Sequence, residues 1–412
     1  MTVLSIVGID GQRLNDHIES LAKIGQRPDG SLCRLAFTPE DIQARYRVQQ
    51  WMVEAGMQVR TDAAGNLIGR YEGEVADAPA LATGSHIDTV PSGGRYDGVL
   101  GVLAGIEAVR ALRDRGQRLN HPVEVIVFSD EENTMIGCQA IAGTALLDAP
   151  ERYQTNVDAP IQDCLEMLGG SWEQLATARR TDLAAFVELH VEQGIVLEYQ
   201  QKTVGIVQGV VGIHRSRITI TGQANHAGTT PMDMRQDALV AAAETVLAVR
   251  QIALAQPSQP VATVGQLEVS PNAVNIVPGQ VTLSVDMRDL SPESLEAMTQ
   301  QLEQKLDAIA LKTRTKIAIE PLLYVEPTPA AAAVQQVIQT VCQDLNLSHL
   351  HLPSRAGHDA LELGRITAMG MIFVPSADGV SHSEAEYTSP EDCVHGANVL
   401  LQTLIRLDAI LP

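Results

Sequence analysis

With 412 residues, 45% of them hydrophobic and only 3% aromatic, the chain is long enough for two cores built from aliphatic side chains. No run approaches the ~18 apolar residues of a membrane span, so a membrane protein is excluded as the expected class. A formal net charge of -21 with no Lys/Arg run excludes a nucleic-acid backbone as partner and admits a small anionic substrate only where local cations overcome the global field.

The first ten residues, Met1–Asp10, lack a basic segment and a continuous apolar run, so a cytoplasmic location is expected. Thr38-Pro39-Glu40-Asp41 predicts the first helix: threonine caps it, proline takes the first helical position and acids occupy the first turn. Val59 to Tyr71 reads as two strands around Ala63-Ala64-Gly65-Asn66, and Ala80-Leu81-Ala82-Thr83 as a short buried strand. The loop Gly84-Ser85-His86-Ile87-Asp88 through Asp97-Gly98 follows, and then a buried helix from Val99 to about Gly116. His121 to Phe128 is a strand ending in Ser129-Asp130-Glu131-Glu132-Asn133, and Ala185 to Glu192 is another ending in Gln193-Gly194. Helical stretches are expected at Ala140–Leu147 and Ile161–Gln174. This alternation predicts an α/β fold, a mixed, mostly parallel sheet covered by helices.

From about Gly212 the pattern changes. Ile213–Gly222 alternates as a strand, Asp237–Leu254 is an alanine-rich helix, and Val261–Val269 and Val281–Arg288 form a strand pair. Ser291-Pro292-Glu293 caps a helix to about Lys312, and Lys316–Val325 is a last strand. The order β-α-β-β-α-β is the ferredoxin-like unit. It predicts an inserted domain at 212–326, with 1–211 and 327–412 forming a metal-binding catalytic domain. A helix near Ala330–Leu345, the loop Ser354-Arg355-Ala356-Gly357-His358-Asp359, a strand Gly370–Pro375 ending in Ser381-His382-Ser383, and a final helix capped by Ser389 complete the chain. Five cysteines, scattered singly without a CxxC pair, argue against a disulfide framework and a thiolate zinc site.

His86, Asp97, Glu131, Glu132, His190 and His382 each sit just past an expected strand, the edge where open α/β sheets bind ligands. Any one of these histidines could be an ordinary hydrogen-bonded loop residue; their recurrence at strand ends points to a shared site. Five of them suit two divalent ions ~3.5–4 Å apart that share one carboxylate. Asp97 is the natural bridge, with His86 and His190 on one side and Glu132 and His382 on the other. Glu131 has no metal role left and is suited to proton transfer. Asp88, two residues from His86 along a strand, is expected to orient its imidazole from behind. Two divalent ions with two carboxylates and one hydroxide sum to about one positive charge, which would attract an anionic substrate.

These residues, together with Glu188-Leu189-His190-Val191-Glu192-Gln193-Gly194, Asn225-His226-Ala227-Gly228-Thr229-Thr230-Pro231-Met232 and Ala356-Gly357-His358-Asp359, resemble the hydantoinase/carbamoylase branch of the dinuclear-metal aminoacylase and carboxypeptidase-like amidohydrolases. That branch includes N-carbamoyl-L-amino-acid hydrolases, allantoate amidohydrolases and ureidoglycolate amidohydrolases. The resemblance implies zinc or manganese as the two metals and a homodimer formed through the inserted domain, which would also close as a lid. It further implies that His226 polarises the scissile carbonyl or stabilises the oxyanion, that Asn275 and Arg288 hold the substrate carboxylate, and that Gln193 and Gly357 contact the ureido and carboxylate groups. Arg288 also has the planar two-pronged donor a carboxylate needs, unless Asp286 or Asp289 engages it first.

Two stretches depart from the branch. Asn133-Thr134-Met135-Ile136 stands where Gly and then an Arg-Phe pair are common, and Ser354-Arg355 stands where Ser-Gly is common. Ser354-Arg355-Ala356 and Glu386-Tyr387-Thr388-Ser389 are similar to ureidoglycolate amidohydrolases, whereas the segment around His226 and Pro271-Asn272-Ala273-Val274-Asn275 are similar to carbamoylases and allantoate enzymes. The metal residues are untouched by these differences. The expected activity is hydrolysis of the ureido C–N bond of N-carbamoyl L-amino acids, with allantoate or ureidoglycolate as alternative substrates, an aminoacylase or dipeptidase activity less favoured, and a non-catalytic binding role disfavoured because Glu131 and all five ligands are present.

Overall fold

The computed structural model describes residues 8–411; Met1–Val7, which hold most of the amino-terminal segment read above, and Pro412 lie outside it. The described chain separates into two compact units, one running to Gly209 and resuming at Pro329, the other spanning Val210–Thr328.

The first unit is built on a nine-stranded sheet. From one edge its strands run Gln58–Thr61, Leu67–Tyr71, Val123–Val127, Ala80–Ser85, Leu183–Val191, Ala368–Val374, Val204–Val210 and the short Thr328–Pro329, and His349–Ser354 pairs with Val204–Val210. The central four, from Val123–Val127 to Ala368–Val374, are parallel, and the strands flanking them are antiparallel. Every residue of Ala80–Ser85 and Val123–Val127 is buried. Helices cover both faces of such strands, so they read as continuous apolar runs rather than alternating ones.

Helix Val99–Asp114 is buried on nearly all sides and packs on the sheet, joined by Pro390–Ile410 and Ala332–Asp344 in one aliphatic core. Helix Pro39–Glu54 starts as its sequence dictates, with the Thr38 hydroxyl accepting from the Asp41 amide at 3.3 Å. Among the described residues no helix is long and apolar enough to cross a membrane.

Several elements differ from expectation. Helix Gly11–Leu21 shows only three buried apolar residues, Leu14, Ile18 and Leu21. Its signal is a thin stripe plus the Asp10 cap, whose carboxylate accepts from the Arg13 amide at 3.0 Å. The stretch expected at Ala140–Leu147 is instead helix Ile136–Ala142, ended by Gly143 in the left-handed region. The looser stretch closes early, as Ile161–Met167. Strands Val204–Val210 and His349–Ser354 carry no clean alternation, because their burial comes from neighbours contributed by distant sequence.

The second unit is a four-stranded antiparallel sheet in the order Lys316–Val325, Gly212–Thr221, Gln280–Asp289, Val261–Ser270. Numbered along the chain this is 4-1-3-2, the ferredoxin-like order. Helices Ala238–Leu254 and Pro292–Thr313 cover one face around Ile218, Ile220, Leu283, Val285 and Leu302. Both begin at the caps the sequence offers: Asp237 accepts from the Leu239 and Val240 amides, and Ser291 from Ser294.

Gly84 is where the central strands approach too closely for a side chain. Its φ is +145°, and a Cβ there would lie 1.9 Å from the Ile126 carbonyl oxygen of the adjacent strand. Gly84→Ala is expected to destabilise the protein by about 3 kcal/mol, measured as a lowered midpoint of urea unfolding; a midpoint equal to that of the parent would contradict this packing.

Candidate metal centre and active site

The parallel strands deliver their carboxyl ends to one edge of the sheet, and the candidate residues gather there. Strand Ala80–Ser85 stops before His86, so strand periodicity does not bring Asp88 to the imidazole as expected. Instead the loop folds back. The His86 Nδ1 lies 3.0 Å from the Asp88 backbone oxygen, while the Asp88 carboxylate is 3.8 Å from Nδ1 and accepts from the Glu132 amide at 3.2 Å. Asp88 therefore orients His86 chiefly through its main chain, and its side chain ties this loop to the one bearing Glu132.

At the centre is the buried carboxylate of Asp97. Its Oδ1 lies 3.6 Å from His86 Nε2 and 3.1 Å from His190 Nε2. Its Oδ2 lies 3.2 Å from His382 Nε2, which is in turn 3.6 Å from Glu132 Oε2. His86, Asp97 and His190 thus form one group whose potential ligand atoms all lie within 4.8 Å of one another, and Asp97, Glu132 and His382 form a second. His190 Nδ1 sits 2.9 Å from the Val191 carbonyl. With Nδ1 on a backbone carbonyl in both His86 and His190, Nε2 of each ring faces the site, where the neutral ring offers its lone pair, the arrangement typical of histidine ligands. Gly98, at φ +66°, lets the backbone pass the His86 ring; a Cβ there would be 2.6 Å from it.

Glu131 stands outside both groups, buried, with Oε2 3.5 Å from His86 Nε2. A third possible group, Glu188, His190 and His358, is already committed. Glu188 accepts from the Ser85 hydroxyl at 2.7 Å and the Ala360 amide at 2.9 Å, and the His358 ring packs edge-on to His190 with centroids 4.4 Å apart.

The electrostatics are those of a negative cluster in want of cations. Burial, with Asp97 and other acids, pushes the Glu132 carboxyl up to about 7. Burial also drives Glu131 well above the carboxylate range, opposed by His86 and reinforced by Asp359. His382 is lifted to about 9, first by its hydrogen bond with Asp97. Burial works against a charge on His86, yet Glu131 and Asp97 raise it overall. Burial alone would raise Asp97, but hydrogen bonds with His190, His382 and His86 hold it well below its usual range. His358 differs: burial and then His190 depress it, which keeps it neutral.

Gln193 and Gly357 line the same cavity of about 190 Å³. The Gln193 amide donates to Asp97 Oδ2 at 2.8 Å and lies 3.3 Å from His382 Nε2, so it contacts the acidic centre directly. Its Oε1 has no hydrogen-bond partner among the described residues. A Cβ on Gly357 would meet nothing within 4 Å. Sequence reasoning missed two supporting residues. Glu386 accepts from the amides of Tyr96 and Asp97 at 2.8 and 3.2 Å and from the Ser381 hydroxyl at 3.0 Å, tying the Asp97 loop to the His382 loop. The buried Arg34 donates to the carbonyls of Ile87, Leu21 and Ile24, bracing the His86 loop. Arg34 lies in no motif, and Glu386 lies in a segment whose family likeness says nothing of its bonds; the role of each depends on groups that only the folded loops bring near it.

Three expected residues belong to the second unit. His226 lies on the short strand Asn225–His226, paired with Ile276–Val277. Its Nδ1 accepts from the Gly228 and Thr229 amides at 3.0 and 3.2 Å. A neutral ring so held carries its proton on Nε2, which makes that nitrogen a donor. Asn275 uses its backbone oxygen to receive the Ala227 amide at 2.9 Å, fixing the same loop. Arg288 gives its Nε to Asp286 at 2.8 Å, and Arg215 grips the same carboxylate at 2.7 Å. The pairing with Asp286 considered from the sequence is therefore present.

Several known proteins are similar to this chain over nearly its whole length. The N-carbamoyl-L-amino acid amidohydrolase of Geobacillus stearothermophilus is 40% identical over 406 residues, covering 97% of this chain and 99% of that protein. The ureidoglycolate hydrolase of Arabidopsis thaliana is 35% identical, covering 99% of this chain and 88% of that one. The crystal structure of an amidase of the hydantoinase/carbamoylase family from Burkholderia multivorans superposes with a TM-score of 0.93 at 36% identity, over 98% of this chain and 100% of its own. The resemblance read from the motifs is thereby met. Residues 82–406 match the family described as peptidase family M20/M25/M40, and the chain belongs to that family.

Proposed function

We propose that this protein hydrolyses the ureido C–N bond of N-carbamoyl L-α-amino acids, consuming one water and releasing the amino acid, carbon dioxide and ammonia. The observation that supports the reading most is Asp97, whose two oxygens face two separate groups of potential ligands. Three imidazoles and two carboxylates, with no thiolate, suit zinc or manganese, and the proton-hungry carboxylates of the cluster fit sites made for cations. His86, Asp97 and His190 would hold one ion, and Asp97, Glu132 and His382 the other. Bound there, the pair would supply Lewis acidity toward the carbamoyl carbonyl and lower the pKa of water.

The remaining work falls to side chains. Glu131, buried beside the ligands but outside both groups, takes the proton of the attacking water and returns it to the leaving nitrogen. His226, with Nδ1 held by two backbone amides, donates from Nε2 to the oxygen on which negative charge develops. Asn275 and Arg288 hold the substrate carboxylate, Gln193 and Gly357 contact the ureido and carboxylate groups, and Asp88 steadies His86. The resemblance supports a homodimer formed through the second unit, checked by light scattering. Five free cysteines fit a cytoplasmic, reducing compartment.

A ureidoglycolate substrate, favoured by Ser354-Arg355-Ala356, or allantoate is the competing reading. Purified protein reconstituted with zinc or manganese should release ammonia and amino acid in equal amounts from N-carbamoyl-L-amino acids, faster than ammonia from allantoate or ureidoglycolate. No ammonia from any of the three overturns the reading, and a faster rate on either of the others transfers it to that substrate.

Two substitutions separate the roles. Glu131→Gln is expected to lower kcat by roughly 10²–10⁴-fold while bound metal, measured by plasma mass spectrometry, stays at the parent level. Asp97→Ala is expected to lower the bound metal itself, because both groups lose their shared carboxylate; full metal content in that variant would rule out the bridge.

A further inference from the structure

The loop after the paired glutamates carries a side chain that the reaction does not use. Asp130 and Met135 both hold the left-handed backbone conformation, with φ values of 55° and 56°, which L residues with side chains avoid. The Met135 amide donates to the Asp130 carbonyl at 2.7 Å, and the Thr134 hydroxyl donates to the Asp130 carboxylate at 2.5 Å. Asn133, which also lines the cavity, is held by its amide on the Gln154 carbonyl at 2.8 Å. Helix Ile136–Ala142 begins immediately after Met135, so the loop is anchored at both ends. Held this way, Met135 is half-buried and lines the cavity that contains the two ligand groups.

Most of the described residues that line that cavity have charged or polar side chains. Met135 is the one large apolar side chain among its described lining residues, and beside it Ala356 and Gly357 add an apolar surface with no bulk. On the proposed reaction the carbamoyl group occupies the two ligand groups, and the substrate carboxylate requires cationic or amide donors. Met135, Ala356 and Gly357 offer neither charge nor hydrogen-bonding side chain.

We infer that Met135 is a specificity-determining residue that receives the substrate's own side chain, and that the preferred N-carbamoyl amino acids carry flexible apolar side chains. This rests on the proposed ureido hydrolysis. An unbranched, polarisable thioether adapts to several apolar shapes, so the preference extends over a range of linear and γ-branched side chains rather than one. A carboxylate side chain gains nothing from a thioether and would lose its water beside Met135 and Ala356, which have no side-chain donor to replace it.

The test compares N-carbamoyl-glycine, -alanine, -methionine and -aspartate on the metal-reconstituted parent, Met135→Ala and Met135→Leu. In the parent, kcat/KM should rise from glycine to methionine and be lowest for aspartate. Met135→Ala keeps the Cβ and its backbone requirement. It should lose about tenfold or more on the methionine substrate, in line with apolar-pocket discrimination of ~10–200-fold, mostly through KM, and stay within about twofold on glycine. Met135→Leu should restore most of the loss. Calorimetric binding of N-carbamoyl-L-methionine to Glu131→Gln protein, with and without Met135→Ala, provides a readout free of turnover and should weaken by a similar factor. Equal losses on glycine and methionine, unchanged binding, or a preference for aspartate would overturn the inference while leaving ureido hydrolysis standing. A parent that hydrolyses allantoate or ureidoglycolate but no carbamoyl amino acid would remove both.

Discussion

A carboxylate taken out of water must find positive or hydrogen-bonding partners, or it will take up a proton. Asp97 is buried, and it is held charged by imidazoles from three remote places, His86, His190 and His382, together with the Gln193 amide. The rest of the first unit makes that convergence possible. Four parallel strands end on one edge, and each sends a turn into the same small volume, so residues separated by nearly three hundred positions meet within hydrogen-bond distance.

Around this centre lies a layer of buried polar groups that fix the loops rather than the chemistry. Glu386 ties the Asp97 loop to the His382 loop, Glu188 links Ser85 to the Ala360 amide, and Arg34 satisfies three carbonyls near His86. Each would be costly if left unpaired; Glu386 and Glu188 are held by backbone amides and a hydroxyl, and Arg34 by three carbonyls, its Nη2 having no partner among the described residues. The arrangement resists loosening because shifting one loop would break bonds in two others. Gln193, Met135 and His382, three of the residues that hold the left-handed backbone conformation, line the cavity as well.

The two units were legible in the chain for different reasons. In the second, alternation, Asp237 and Ser291 caps and strand lengths all agree on one ferredoxin-like order, since each strand pairs with neighbours on one sheet and buries one face. In the first, the central strands were visible as apolar runs ending in titratable residues. Strands Val204–Val210 and His349–Ser354 and helix Gly11–Leu21 were not visible, because their burial is conferred by elements far away in sequence. Glu188 illustrates the limit. In an alternating strand it reads as a solvent-facing position, and only the helices and loops covering both faces of the sheet bury it.

The spacing of His86, Asp97, Glu131, Glu132, His190 and His382 behind apolar strands was determined by the sequence itself, as were the family and the inserted order of elements, because these depend on local periodicity and on residue type. Tertiary structure alone decided which oxygen of Asp97 faces which histidine, that Asp88 steadies His86 through its main chain rather than its carboxylate, that Arg288 is shared with Asp286, and that Met135 lines the cavity. Those outcomes depend on loop closure and on burial supplied by distant segments, and no periodicity along the chain encodes a distance between groups that meet only when the sheet is complete.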